Sequence, residues 1–359
     1  MKFAHFSHVW NKPGMTVAQR YEQLWRELAL CDELGFDFGF AVEHHFSPQE
    51  SWMPSPAVYC TGGAARTRRL RLGPMGYIPS LYNPLRIVEE AAVLDQVLHG
   101  RLELGLVSGI LPDYFAPYQA DFLNRRQVTS ETVLLLKEAF STAGPFSFAG
   151  QYHQYENVKL SVKPLQKPYP PLWVQSRDPD TLAFLAKEGV HTGYLLFMPR
   201  DEVAPRYREY LRLWRQARHQ QKPNIGYWTL VYVDDTDEHA IRKATPHILH
   251  AFGAVFGFGD GGGTTVEQLA ATYERRGEHG AAEIARNMIN VEYLLERNLV
   301  FVGSPETVTW QVRKAAAEGL FNTLLCEFNL GSVEEEDLMH SMHLFGTRVI
   351  PALRSFEPY

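Results

Sequence analysis

The stretch GFDFGFAVEHHF, residues 35–46, decides the fold of this 359-residue chain. Its central apolar run, 37–42, is short and ends in a cluster of polar groups, which predicts a buried β-strand. The preceding residues 16–34 repeat apolar side chains at helical spacing. Thr16 suits the N-cap of that helix, and Gly35 stands where the helix ends. A helix followed directly by a buried strand indicates an α/β unit.

The same alternation of short apolar runs and amphipathic helices continues in both directions along the chain. Nothing resembling GxGxxG follows the first strand, which argues against an open dinucleotide-binding sheet. We therefore expect a closed (β/α)₈ TIM barrel with insertions, one of them a hairpin at 145–160. No linker divides the chain, so residues 1–359 are predicted to form a single domain. The predicted strands are 2–9, 37–42, 70–78, 101–107, 172–176, 192–197, 225–233 and 323–328.

Composition excludes several classes of function. The net charge is −6 with scattered basic residues, which argues against nucleic acid or an anionic membrane as a partner. Cys31, Cys60 and Cys326 form no CxxC pair and lie in apolar stretches, as expected in a reducing cytoplasm. The N-terminus has no signal-peptide pattern, and no apolar run is long enough to cross a bilayer. We expect a cytoplasmic protein.

One segment departs from the alternating pattern. Residues 257–263 read GFGDGGG, and polar residues follow as far as Gly280. Such a composition predicts a mobile loop at 257–280. On the catalytic face of a barrel it would serve as a lid, and elsewhere it would be a plain surface loop. The sequence leaves both interpretations open.

Glu43, His44 and His45 are the strongest candidates for chemistry, because they follow the second strand at the expected catalytic face of the barrel. A carboxylate and two imidazoles suit acid–base catalysis or substrate contact. Successive residues at a strand end point in opposite directions, so these three cannot easily reach one metal ion, and no metal site is predicted. His45 has an alternative role, in which it satisfies a buried backbone group.

A second candidate region follows the fifth predicted strand. Ser176 and Arg177 precede a helix that contains Thr181, and a hydroxyl, a cation and free helix N–H groups together make an anion pocket. Asp178 suits an ordinary N-cap of the same helix. The two interpretations are compatible.

In their order and spacing, these motifs resemble the bacterial-luciferase-like flavin monooxygenases, and the alkanal monooxygenase alpha subunit in particular. The similarity covers nearly the whole chain. It is carried by the opening Met1-Lys2-Phe3, by 35–46, by 84–101, by the run Val302-Gly303-Ser304-Pro305-Glu306 and by the tail 334–351.

The resemblance implies a barrel that binds reduced FMN (FMNH₂), supplied by a separate flavin reductase. In that family the reduced flavin reacts with dioxygen to give a C4a-hydroperoxide, which oxygenates a small organic substrate. The family histidine matching His44 supports proton transfer. Met75-Gly76 matches a non-proline cis peptide below the flavin ring. The family also implies a homodimer.

Two departures from the family put light emission and a long-chain aldehyde substrate in doubt. Val107 and Ser108 stand where the luciferase subunit has a reactive cysteine and a phosphate-binding arginine. Ser176 replaces an acidic residue, and Arg177 is expected to supply the missing cation. A deazaflavin-dependent oxidoreductase and a flavin-binding protein without turnover remain alternatives on the same barrel. A metal-dependent hydrolase is the most distant one.

Overall fold

The computed structural model describes residues 1–110, 112–256 and 266–359. The strands are β1 Lys2–Ser7, β2 Phe38–Ala41, β3 Arg71–Pro74, β4 Leu104–Leu106, β5 Phe146–Ala149, β6 Gln154–Val158, β7 Leu172–Val174, β8 Thr192–Leu195, β9 Ile225–Val233, β10 Phe301–Gly303 and β11 Thr323–Glu327. The helices are α1 Val17–Leu34, α2 Pro56–Ala64, α3 Pro84–Val97, α4 Arg125–Ser141, α5 Pro179–Glu188, α6 Arg200–Gln216, α7 Asp237–Phe256, α8 Val266–Glu274, α9 His279–Arg286, α10 Val291–Glu296, α11 Pro305–Gly319, α12 Glu335–Leu344 and α13 Ile350–Leu353.

Eight strands close into a parallel barrel in the order β1-β2-β3-β4-β7-β8-β9-β11 and back to β1. Parallel ladders join β1 to β2 and β11, β2 to β3, β4 to β7, and β9 to β8 and β11. Single parallel bridges at Leu72–Leu102 and Trp173–His191 complete the ring between β3 and β4 and between β7 and β8. The predicted (β/α)₈ barrel is confirmed, and each of its strands lies within a predicted range.

The insertions lie outside this ring. β5 and β6 form the antiparallel hairpin expected at 145–160. β10 pairs with the last three residues of β9, beyond the part of β9 that contacts β8 and β11. Residues 266–274 of the predicted loop form helix α8 instead, whereas 257–265 lie outside the described residues.

Local chemistry sets the ends of the first helix. The Thr16 hydroxyl accepts a hydrogen bond from the Gln19 amide, and the Gln19 side chain accepts one from the Thr16 amide, forming a capping box. Gly35 ends α1 at φ +80°, a left-handed conformation that suits glycine. Because the helix ends here, Phe38 can pair with Ala4 and the second strand enters the barrel.

The barrel interior is packed with aromatic rings. Trp173 contacts Phe38 and Phe40 edge-on. Its indole N–H donates to the buried Glu103 carboxylate at 2.6 Å. This core fills the lower barrel, so polar chemistry is confined to the ends of the strands. Among the described residues, no helix has the length and apolar character needed to cross a membrane.

Candidate active site

A buried carboxylate lies at the C-terminal end of β11. Glu327 is fully buried and accepts hydrogen bonds from His8 Nδ1 at 2.7 Å, Trp10 Nε1 at 2.9 Å and Trp228 Nε1 at 3.2 Å. These donors follow β1 or lie on β9, so the barrel closure brings them together. The sequence interpretation missed all four residues. Their one local sign is a glutamate that ends an otherwise apolar strand.

His44 lies beside this group at the barrel mouth. Its ring meets the His8 ring edge-on, with the centroids 5.2 Å apart. Its Nδ1 lies 2.9 Å from Glu50 Oε1, although the angles are not those of a hydrogen bond. Burial alone raises the pKa of Glu50, but the charges of His44 and His8 and the contacts with His44 and Ser47 outweigh it and lower that pKa. Glu50 is therefore an anion that faces two imidazoles.

Glu43 and His45 lie on the other side of the strand end. Glu43 accepts hydrogen bonds from His45 Nε2 at 2.9 Å, from the Tyr82 hydroxyl at 2.6 Å and from the Ile78 amide at 2.8 Å. The Tyr118 hydroxyl donates to His45 Nδ1 at 3.3 Å. The structure thus separates the predicted trio: His44 lies by the mouth, whereas Glu43 and His45 tie the strand to the loop after β3.

Two polar atoms beside the mouth are buried without a hydrogen-bond partner in the described structure. They are the Tyr114 hydroxyl and Gln175 Nε2. Tyr114 packs 5.6 Å from the His44 ring, measured between centroids. Gln175 is two residues after Trp173, so the alternation of the strand turns it to the interior. Buried polar groups are rarely left unpaired, and this pair therefore suits a polar ligand.

The ends of β3 and β4 approach each other closely at a peptide that the resemblance singled out. Met75-Gly76 is cis, as predicted. A Cβ on Gly76 would lie 2.3 Å from the carbonyl of Gly105, so no larger residue fits here. Val107 directly follows β4 and donates its amide to Tyr77 O at 2.8 Å. The chain thus places a glycine backbone at the end of β3, where the Met75 amide donates to Ala41 O of β2 at 2.7 Å.

Arg177 lies at the end of β7 and forms a bidentate ion pair. Its Nε and one terminal nitrogen donate to the Glu278 carboxylate at 3.0 and 2.8 Å. Glu278 directly precedes α9, whose first residue is His279. The partner is therefore neither Asp178 nor Asp180, the acids nearest in sequence.

The other predicted anion-binding groups take part in the cap of α5. Asp178 caps this helix and accepts bonds from both the amide and the hydroxyl of Thr181 at 2.9 Å. The Ser176 hydroxyl accepts the Asp178 amide at 3.2 Å. Ser108 and Ser176 are close, because the β4–β7 register pairs Leu106 with Val174, two residues before each. The N-cap interpretation of Asp178 is confirmed.

Four further arginines surround this corner, and the sequence interpretation missed them. Arg125 and Arg126 begin α4, Arg206 donates to the Arg177 carbonyl at 3.1 Å, and Arg276 is near Arg125. Burial, and then repulsion from Arg126 and Arg276, lowers the pKa of Arg125. Arginines that crowd one another in this way indicate an anion site. We call Arg125, Arg126, Arg177, Arg206 and Arg276 the arginine corner.

Residues 1–323 match the family described as luciferase-like monooxygenase. The chain belongs to this family. The resemblance inferred from the motifs is therefore confirmed.

Three relatives illustrate the similarity within the luciferase-like family. An uncharacterized protein of Sinorhizobium fredii, y4wF, is 35% identical over 68% of this chain and 71% of its own length. The oxygenase component of a flavin-dependent trigonelline monooxygenase from Acinetobacter baylyi is 25% identical over 67% of each chain. The alkanal monooxygenase alpha chain of Photobacterium leiognathi is 24% identical over 56% of each, so the match spans about half of that protein.

Solved structures share the fold across its full length. The oxygenating constituent of 3,6-diketocamphane monooxygenase from Pseudomonas putida, in complex with FMN, has a TM-score of 0.79 at 20% identity and covers 98% of both chains. An F420-dependent secondary alcohol dehydrogenase has a TM-score of 0.71 at 16% identity over 99% of both. At such identities, the likeness shows the fold of the luciferase-like family. It does not distinguish FMN from F420 as the cofactor of this chain.

Proposed function

We propose that this protein is the oxygenase component of a two-component monooxygenase. It takes reduced FMN from a separate flavin reductase and uses dioxygen to oxygenate a small organic substrate. The observation that carries the proposal is the arrangement of the barrel mouth. The His44–Glu50 pair follows β2. The Met75-Gly76 backbone follows β3 and contacts β2 through a hydrogen bond from the Met75 amide to Ala41 O at 2.7 Å, and the arginine corner lies beyond the ends of β4 and β7.

This arrangement fits the two ends of FMN. A flat ring needs a smooth wall and a few polar partners, which Gly76, Gln175 Nε2 and the Tyr114 hydroxyl offer. A phosphate needs positive charge and N–H donors, which Arg177 and the other guanidinium groups of the arginine corner offer. Val107 and Ser108, which directly follow β4, would lie between these two ends.

Within this proposal, His44 is the residue that moves a proton. Its Nδ1 lies against the Glu50 carboxylate, which leaves Nε2 to exchange a proton with bound ligand. In this position His44 would act as the acid or base. Glu43 and His45 hold the backbone of the strand end in place. Reduced FMN, when bound, would supply the electrons for the reaction with dioxygen that the resemblance implies.

Arg177 is the proposed phosphate ligand, and it has to exchange partners to bind. Its guanidinium already grips the Glu278 carboxylate with two hydrogen bonds, the same pattern that it would offer a phosphate. Ser176 and Thr181 act through the α5 cap, which keeps the first N–H groups of that helix in the corner. The phosphate then replaces Glu278 on Arg177.

Assembly and location belong to the same proposal. Val58 on α2 and Val93 and Val97 on α3 are 42–55% exposed, which supports a homodimer packed through these early helices. The cytoplasmic location expected from the sequence is kept as a prediction.

A deazaflavin-dependent oxidoreductase is the second candidate, supported by the F420-dependent dehydrogenase on the same fold. A flavin-binding protein without turnover is the third. The test is an anaerobic titration of the purified protein with reduced FMN and with reduced F420, followed by mixing with air. We expect FMN to bind more tightly and a transient flavin–oxygen species to appear before reoxidation. Tighter binding of F420, or direct reoxidation at every pH, would overturn the proposal.

A further inference from the structure

Three side chains from two segments, the end of β1 and the loop after β2, converge at the barrel mouth with the donor set of a transition-metal site. One ring nitrogen each of His8 and His44 and one carboxylate oxygen of Glu50 lie within 4.8 Å of one another. We propose that this triad binds a divalent metal ion of the zinc class, and that the bound ion reversibly inhibits the enzyme.

The hydrogen bond to Glu327 orients His8 as a ligand. Its Nδ1 donates to the Glu327 carboxylate at 2.7 Å, which leaves Nε2 as the nitrogen with a lone pair. Metal-bound histidines usually donate their second N–H to a carboxylate in this manner. Glu327 is fully buried and held by two indoles as well, so the ring of His8 is fixed before an ion arrives.

The charge at the triad also favours a cation. Glu50 belongs to the triad, and a second carboxylate, that of Glu327, lies behind His8. Among the described residues, no lysine or arginine pairs with either carboxylate. A divalent ion would supply the positive charge that no lysine or arginine provides here.

Ligand type and spacing select the metal. Two imidazoles and one carboxylate suit zinc and its neighbours, whereas magnesium prefers oxygen ligands. Tetrahedral ligands about 2.1 Å from zinc lie about 3.4 Å apart, so the three atoms need only small movements to close on an ion. Three protein ligands leave a fourth position for water or substrate, and that position faces the mouth.

Binding would remove the function proposed for His44. The lone pair that accepts a proton is donated to the metal, so His44 can no longer act as acid or base while the ion is bound. The metal is thus an inhibitor and not a cofactor. The binding claim rests on the geometry alone, and only the inhibition rests on the proposed monooxygenase function.

The test titrates the chelator-treated, flavin-free full chain with Zn²⁺ by calorimetry and with Co²⁺ by visible absorption, with Mg²⁺ as the control ion. We expect one Zn²⁺ per chain at the triad and tetrahedral Co²⁺ bands. Glu50→Gln should weaken binding at least tenfold, and Glu327→Gln about 10–100-fold.

A second cluster in the described part of the chain supplies the matched control. Asp234, Asp235 and His340 also bring ligand atoms within 4.8 Å, but on a more exposed surface. The double variant Asp235→Asn/His340→Ala should keep the triad's affinity and its Co²⁺ spectrum. Loss of binding in this variant would place the ion at the surface and overturn the proposal.

His44→Ala removes a ligand whose side chain is more exposed than that of Glu50. It therefore tests the site even if the Glu50→Gln variant misfolds. Wild-type affinity in both Glu50→Gln and His44→Ala would also refute the site. Separate titrations with reduced FMN distinguish failure of the metal site from failure of the proposed monooxygenase function. If reduced FMN fails to bind while Zn²⁺ binds at the triad, the proposed function fails and the metal site stands.

Discussion

The Arg177–Glu278 ion pair predicts that substitutions of its two residues change the affinity for FMN in opposite directions. If the flavin phosphate binds Arg177, it must displace the Glu278 carboxylate from the same two donors. Arg177→Ala should therefore weaken binding of FMN, whereas Glu278→Gln should strengthen it. Riboflavin lacks the phosphate, so neither change should affect its affinity.

The magnitudes follow from the two interactions that compete. A hydrogen bond from Arg177 to a charged phosphate contributes about 1.5–3 kcal/mol. The Arg177–Glu278 pair, with side chains 29% and 19% exposed, contributes up to about 1 kcal/mol. The difference predicts that Arg177→Ala loses about 0.5–2 kcal/mol, or roughly 2–30-fold in the dissociation constant of FMN. Glu278→Gln should gain at most about 1 kcal/mol, roughly fivefold.

The assay is an anaerobic fluorescence titration of both flavins against wild type and each variant. Glu274→Gln is the matched control, because Glu274 lies four residues before Glu278 and pairs with Arg286 at 2.8 Å, away from the corner. That variant should bind both flavins as wild type does. Equal losses of FMN and riboflavin in Arg177→Ala, or weaker FMN binding in Glu278→Gln, would refute the phosphate assignment.

Three further changes test other parts of the structure. His44→Ala should lower turnover about 10²–10⁴-fold with the fold intact, as removal of a positioned acid or base does; a loss below tenfold, or unfolding, would contradict the role. Arg20→Leu should destabilise by about 3–5 kcal/mol in urea, because it leaves the fully buried Glu27 uncompensated, and Arg20→Leu/Glu27→Leu should recover most of that loss. Burial raises the pKa of Glu27, but Arg20 and His5 outweigh this effect and lower the pKa. The contribution of ionised Glu27 to folding stability is therefore present above pH 4.5 and is lost as the pH falls. A free energy of unfolding that does not change with pH in this range would exclude the contribution.

The barrel strands were predictable because the signals are local. The run at 37–42 is apolar, and Thr16 and Gly35 mark the ends of the helix before it, so each α/β unit is visible within some twenty residues. Several helices between β8 and β11 were not predicted. Two of them, α6 and α7, contain Pro205 and Pro246 in their interior, and proline ordinarily ends a helix. The packing against the barrel overrides that local preference.

The arginine corner was predictable only in part, for a related reason. Arg177 follows a strand and precedes a capped helix, which is a local pattern. Its partner, Glu278, is 101 residues further along the chain and is not one of the acids nearest in sequence, Asp178 and Asp180. Arg125 and Arg206 lie on helices that meet the corner only when the barrel closes. Sequence spacing carries no information about such meetings.

His44 was predictable from a local pattern, but its contacts depend on residues that are distant in sequence. It also shows why one residue of a motif can differ from its neighbours. Because side chains alternate at a strand end, Glu43 and His45 point to one side, where Glu43 bonds to the loop after β3 and His45 bonds to Glu43 and Tyr118, while His44 faces the mouth. Because neighbouring side chains point in opposite directions, Glu43, His44 and His45 cannot bind one metal ion together. The same geometry leaves His44 free to contact residues outside this motif. Those partners, Glu50 and His8, come from the loop after β2 and the end of β1, and His8 is held by a carboxylate 319 residues away. A local pattern therefore identifies which histidine reaches the mouth, whereas closure of the barrel determines which residues contact its ring.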